Sequence, residues 1–144
     1  MGRRRKTPKY AKRIKPIAQA VSISRRGTPH IGRRDDALRR AEEEIRELKA
    51  ARSRDEKLAE AADVLYYASL YILSNEKNGE VDEEVYMRAR RLVNRARKLS
   101  GAKLNEIHTA LHAKYRSRVE HGKDEERELR EIRRALRRRR RRPW

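Results

Sequence analysis

The chain has 144 residues, 44% of them charged and 36% hydrophobic, with a formal net charge of +19. That length serves one domain with a thin core, built from Leu, Ile, Val, Ala and Tyr since Phe is absent. The lack of cysteine excludes disulfides, thiolate metal sites and cysteine nucleophiles, and no apolar run approaches the ~18 residues of a membrane span.

Residues 1–34 read as a basic extended arm that binds nucleic acid. The arm holds twelve Lys/Arg and no acid: Arg3, Arg4, Arg5, Lys6, Lys9, Lys12, Arg13, Lys15, Arg25, Arg26, Arg33 and Arg34. Pro8, Pro16 and Pro29 each push the preceding residue out of the α region, so no long helix fits. In isolation this composition favours disorder. Order is expected once a polyanion supplies counter-charge, with Ile14, Ile17, Val21 and Ile23 pinning the arm to a neighbour. The basic start leads into no signal-peptide core.

Residues 35–136 form the predicted helical domain, nearly neutral with 23 Lys/Arg against all 22 Asp/Glu. The first helix is expected from about Asp35 to Arg52, with Leu38, Ala41, Ile45 and Leu48 inward. Ser53 and Glu56 have capping-box spacing and start a second helix, reaching to about Lys77. Its apolar face holds Leu58, Ala61, Ala62, Leu65, Ala68, Ser69, Ile72 and Leu73. Val64, Tyr67, Leu70 and Tyr71 nearly close the circle, so burial on several sides is expected. Those last four lie off the face that neighbouring helices would cover, and are assigned to a subunit interface.

The third helix follows Asp82 and ends at Ser100-Gly101, with Val85, Ala89, Leu92, Ala96 and Leu99 inward. Beside that face Arg88, Arg91, Arg95 and Lys98 advance by three, four and three residues, a stripe spanning about 80° of the circumference. Nucleic-acid contact and a solvated or internally paired face are both open for this stripe. The fourth helix is expected over about Ala102 to Glu120, with Leu104, Ile107, Leu111, Tyr115 and Val119 inward and His121-Gly122 closing it. The fifth starts near Asp124, turns Leu129, Ile132 and Leu136 inward, and finishes in the Arg-rich C-terminal end, residues 137–144. There Arg137, Arg138, Arg139, Arg140, Arg141 and Arg142 follow one another. The expected fold class is all-α, a bundle of about four to five helices with a long arm.

Charge gathered at two ends of a neutral body usually meets a polyanion. Arginine, 30 of the 41 cations, presents a fork that can bind phosphate oxygens bidentately. Base readout looks poor: the arm has no Asn and one Gln, and no zinc finger or RNA-recognition aromatic motif occurs. A helix-turn-helix around Gly101 would offer few base-reading side chains. Phosphate and shape recognition is therefore expected.

His108 and His112 sit four apart, a spacing that can hold a metal, but no third ligand is evident and ordinary half-buried histidines are expected. Paired acids such as Glu83-Glu84 mark helix starts. No nucleophile elbow, P-loop or dinucleotide-binding pattern occurs, so no catalytic residue, cofactor or metal is assigned and an enzyme is not expected. Asn and Gln number five together, which with the absent cysteine points to a hot environment. Trp144 suits an anchor in anionic lipid or a packed protein contact equally.

The run Arg3-Arg4-Arg5-Lys6-Thr7-Pro8-Lys9-Tyr10-Ala11-Lys12-Arg13-Ile14-Lys15-Pro16, followed by helices without strands, resembles the major capsid proteins of filamentous and rod-shaped archaeal viruses with linear double-stranded DNA. The resemblance lies in layout, with no diagnostic motif. It implies that paired subunits, identical or paralogous, wrap the duplex in A-form and stack into a helical nucleocapsid, some members within a lipid envelope. It implies DNA contacts at Arg3 to Lys15, Arg25, Arg26, Arg33 and Arg34, and at the third-helix stripe. The Arg137 to Arg142 run exceeds what the family leads one to expect and leaves DNA, envelope and a neighbouring subunit all open as its partner. The implied location is the virion. The alternative is an archaeal ribosomal protein with arms ordered on RNA, in the cytoplasmic ribosome; a chromatin-compacting protein comes third.

Overall fold

The Ser53–Glu56 pair decides where the first helical hairpin turns. Glu56 N–H donates to Ser53 Oγ at 3.1 Å, and Ser53 N–H donates to Glu56 Oε1 at 3.0 Å. Two donors that a helix start leaves orphaned are thereby satisfied. A computed structural model describes residues 34–75 and 81–141, with side chains over 36–75 and 81–139. These residues form five helices, α1 (Arg34–Ala50), α2 (Arg54–Ser74), α3 (Glu83–Ser100), α4 (Leu104–His121) and α5 (Glu125–Arg141), and among them no strand occurs.

α2 is the axis of the bundle and packs against all four other helices. Leu58, Ala61, Ala62, Val64, Leu65, Ala68 and Ile72 on it are all at least 98% buried. Its twelve buried residues point around the whole circumference, as its sequence requires of a central helix. Truncating Leu65 to Ala would cost about 2–5 kcal/mol, because such a site cannot collapse freely. Around α2, α1 touches α3, α3 touches α4 lightly, and α4 pairs with α5.

Side-chain contacts fix the helix directions. Arg40 lies over the Tyr67 ring, so α1 runs antiparallel to α2. Arg54 meets Glu106 and Lys114 meets Asp63, so α4 runs parallel to α2. Arg118 meets Glu128, and Arg139 reaches Asn105, which sets α5 antiparallel to α4. Gly101, at φ 68°, ends α3 in the left-handed region and donates to the Arg97 carbonyl at 2.8 Å.

The helices correct several sequence expectations. α2 ends at Ser74, where Asn75 caps it by donating its side-chain amide to the Tyr71 carbonyl at 2.8 Å. α4 begins at Leu104, two residues later than expected. The inward face of α3 is rotated: Tyr86, Ala89, Val93 and Ala96 are buried while Val85, Leu92 and Leu99 are half-buried. Val119, expected to face inward, is 50% exposed.

The subunit-interface assignment is corrected too. Val64 is 0%, Leu70 2% and Tyr71 8% exposed within the single chain, and Tyr67 is half-buried beneath Arg40. Apolar periodicity shows that a helix is covered all round. It does not say whether a partner or the chain's own later helices do the covering, and here α3, α4 and α5 return onto α2.

Candidate nucleic-acid interface

The outer side of α3 is a broad basic surface on the body. Glu83 and Glu84 stand in its first turn and Arg97 and Lys98 in its last, an order that suits the helix dipole. Beyond the first turn every charged residue of α3 is a cation: Arg88, Arg90, Arg91, Arg95, Arg97 and Lys98, all exposed. Five of them, all but Arg88, make no ion pair among the described residues. Arg88 differs from its neighbours in the stripe. It donates to Glu84 at 2.6 Å, and its hydrogen bond to the Tyr71 side-chain oxygen, together with Glu84, holds its pKa above the usual arginine value. The free part of the expected stripe is therefore Arg91, Arg95 and Lys98, flanked on the α4 side by Arg90 and Arg97.

α5 carries a second basic face. Ile132 and Leu136 are buried, which turns Arg130, Arg133, Arg134, Arg137 and Arg138 to solvent. Arg133 pairs with Asp55 and Arg134 with Glu131, while Arg137 and Arg138 have no ion pair among the described residues. Arg139 has contacts within the chain. Its Nη1 donates to the Asn105 carbonyl at 3.2 Å and to Thr109 Oγ1 at 2.9 Å, so it ties the end of α5 to the start of α4. The side chains of Arg34, Arg140 and Arg141, all of Arg142 and Trp144, and the arm with Arg3 to Arg33 lie outside the described residues.

Arg90, Arg97 and Arg130, exposed and without an ion pair among the described residues, lie outside the dense basic runs that stand out in the sequence. A signal for the α5 face was present: Arg130 and Arg134 are four apart, and Arg137 and Arg138 follow Arg134 by three and four.

A cleft of about 510 Å³ opens between α1 and the α4–α5 hairpin, lined by seven carboxylates against Lys114, Arg118 and Lys123. On its floor Lys114, buried, donates to Asp63 Oδ2 at 2.8 Å and to the Ala59 carbonyl at 3.1 Å, and the Tyr115 hydroxyl donates to Asp63 Oδ1 at 2.9 Å. Burial, then Asp63 and Glu60 beside it, pushes the Glu44 carboxyl up to about 8. Burial and Asp63 raise Glu60 as well. Arg118 bridges to Glu128 at 3.1 Å and lies 4.7 Å over the Tyr115 ring. Lys114 and Arg118 are engaged in holding helices together.

The helix directions set where the basic tails attach. The arm joins α1 at the end of the bundle where α2 and α4 finish. α5 finishes at the other end, beside the ends of α3 and the start of α4. With 17 residues in α1, the two attachment points stand about 25 Å apart along the axis.

No protein-family model, curated protein or solved structure matches the chain. No helix among the described residues is long and apolar enough to cross a membrane.

Proposed function

We propose that the protein packages nucleic acid through sequence-independent phosphate contacts, as a capsid subunit that coats linear double-stranded DNA in a helical nucleocapsid. The observation that carries the phosphate-binding part is the row of unpaired, exposed cations on α3: Arg90, Arg91, Arg95, Arg97 and Lys98. Each is free to release a counterion from the duplex, and none must first break a salt bridge. Both basic helix faces run toward the end of the bundle where the Arg137 to Arg142 run begins, and the arm attaches at the other end. Two grips separated by about 25 Å suit a backbone that continues past each subunit. The choice of duplex DNA and of a capsid rests on the layout of the sequence.

One observation favours a second reading. With α2 closed by its own helices, Val119 is the sole exposed large apolar side chain among the described residues. An apolar dimer interface has little to build on, which suits a ribosomal protein standing as one copy on RNA. In the capsid reading, subunits are then joined through polar surfaces, the tails and the DNA itself.

Mixing the purified chain with linear duplex DNA and imaging the product by electron microscopy separates the two. Regular helical filaments on duplexes of unrelated sequence are the expected result. Tight binding to structured RNA, with only irregular coating of duplex, would favour the ribosomal reading and overturn the capsid one.

A further inference from the structure

His108 and His112 stand one turn apart on the outer side of α4, both half-buried. Their rings meet edge to face with centroids 4.4 Å apart and planes at 61°. The two Nε2 atoms converge to 3.2 Å. Two imidazole nitrogens bound to one zinc ion at 2.0–2.1 Å, with a near-tetrahedral angle between them, stand about 3.3 Å apart. The pair therefore already has the bite of a chelating ligand, and the helix backbone holds it without help from a loop.

We propose that His108 and His112 form a bidentate site for a divalent transition ion of borderline softness, with zinc the reference case and water filling the remaining positions. Imidazole donors select such ions over magnesium or calcium, which prefer oxygen. Only neutral imidazole binds a metal. Binding engages both Nε2 lone pairs, and each neutral ring then carries its proton on Nδ1.

The carboxylates Glu44, Glu60 and Asp63 also lie within 4.8 Å of one another. That cluster is already occupied by Lys114, Tyr115 and a proton shared among the acids, and it offers hard oxygen donors only.

The test titrates zinc chloride into the full chain, freed of nucleic acid by high salt, while ring 1H–15N spectra follow all four histidines. Saturable binding is expected, with the His108 and His112 signals shifting together and those of His30 and His121 unmoved. His112→Gln should weaken zinc binding by about tenfold or more, with helix content by circular dichroism unchanged. Equal affinity in wild type and His112→Gln, or zinc shifts spread over all four rings, would assign the ion elsewhere and overturn the site. Should His112→Gln fail to fold, the wild-type ring shifts decide alone.

Discussion

The cleft between α1 and the α4–α5 hairpin and the outer face of α3 hold similar numbers of charged groups and use them in opposite ways. In the cleft, the two cations that are not exposed each have an assignment: Lys114 to Asp63 and the Ala59 carbonyl, Arg118 to Glu128 and the Tyr115 ring. On α3, five cations stand exposed without an ion pair among the described residues. Desolvated charges must be paired, so the cleft spends its cations on holding the bundle. Exposed charges cost little when unpaired and remain available to a polyanion. Formal charge alone does not separate a structural arginine from a binding one; solvent and partners do. Arg88 and Arg139 fall on the structural side of that division although they sit in basic runs.

The largest effect that would sharpen the contrast is on stability. Lys114→Met leaves Asp63 half-buried beside Glu44 and Glu60 with only the Tyr115 hydroxyl, at an expected loss of about 3–5 kcal/mol in urea unfolding. Asp63→Asn in the same chain should restore part of it, and a simple sum of the two losses would argue against coupling.

Next comes binding. Arg91→Gln, Arg95→Gln and Lys98→Gln together should flatten the slope of log affinity for duplex against log salt by about 2.7, with the melting temperature unchanged. The same three changes leaving the slope intact would remove α3 from the interface. The matching control, Arg139→Gln, should loosen α5 and lower thermal stability while altering the salt slope by less than one contact's worth.

The pH dependence tests the cleft directly. Glu44 has a folded pKa of about 8, above its unfolded 4.5, so between those values the native state holds a proton that the unfolded chain has released. Stability from this group is therefore complete below about pH 4.5 and declines as pH rises toward 8. Glu44→Gln should flatten that decline, so its melting-temperature advantage over wild type grows from pH 5 to pH 8. A constant advantage at both values would place the burden on another group. The smallest effect expected is that of Ser53→Ala, which removes one half of the capping box at a cost of about 1 kcal/mol.

Much of the bundle was legible before any coordinates. The five helices, the capping box at Ser53, the stop at Gly101 and the all-round apolar circumference of α2 follow from local rules: apolar periodicity, cap chemistry and φ freedom act within one or two turns. The rotation of the α3 face was less legible, because Val85, Leu92 and Leu99 flank the true inward line of Tyr86, Ala89, Val93 and Ala96 closely enough to compete with it.

By itself the sequence determined that this is an all-α chain whose excess charge sits at its ends, since composition and periodicity are properties of neighbours along the chain. Only the tertiary structure decided which surfaces remain. It closed α2 over Val64, Leu70 and Tyr71, tied Arg139 to α4, paired Lys114 with an acid 51 residues away, and left Arg91, Arg95 and Lys98 without an ion pair among the described residues. Burial and ion pairing depend on which distant helix arrives alongside, and no local pattern carries that information.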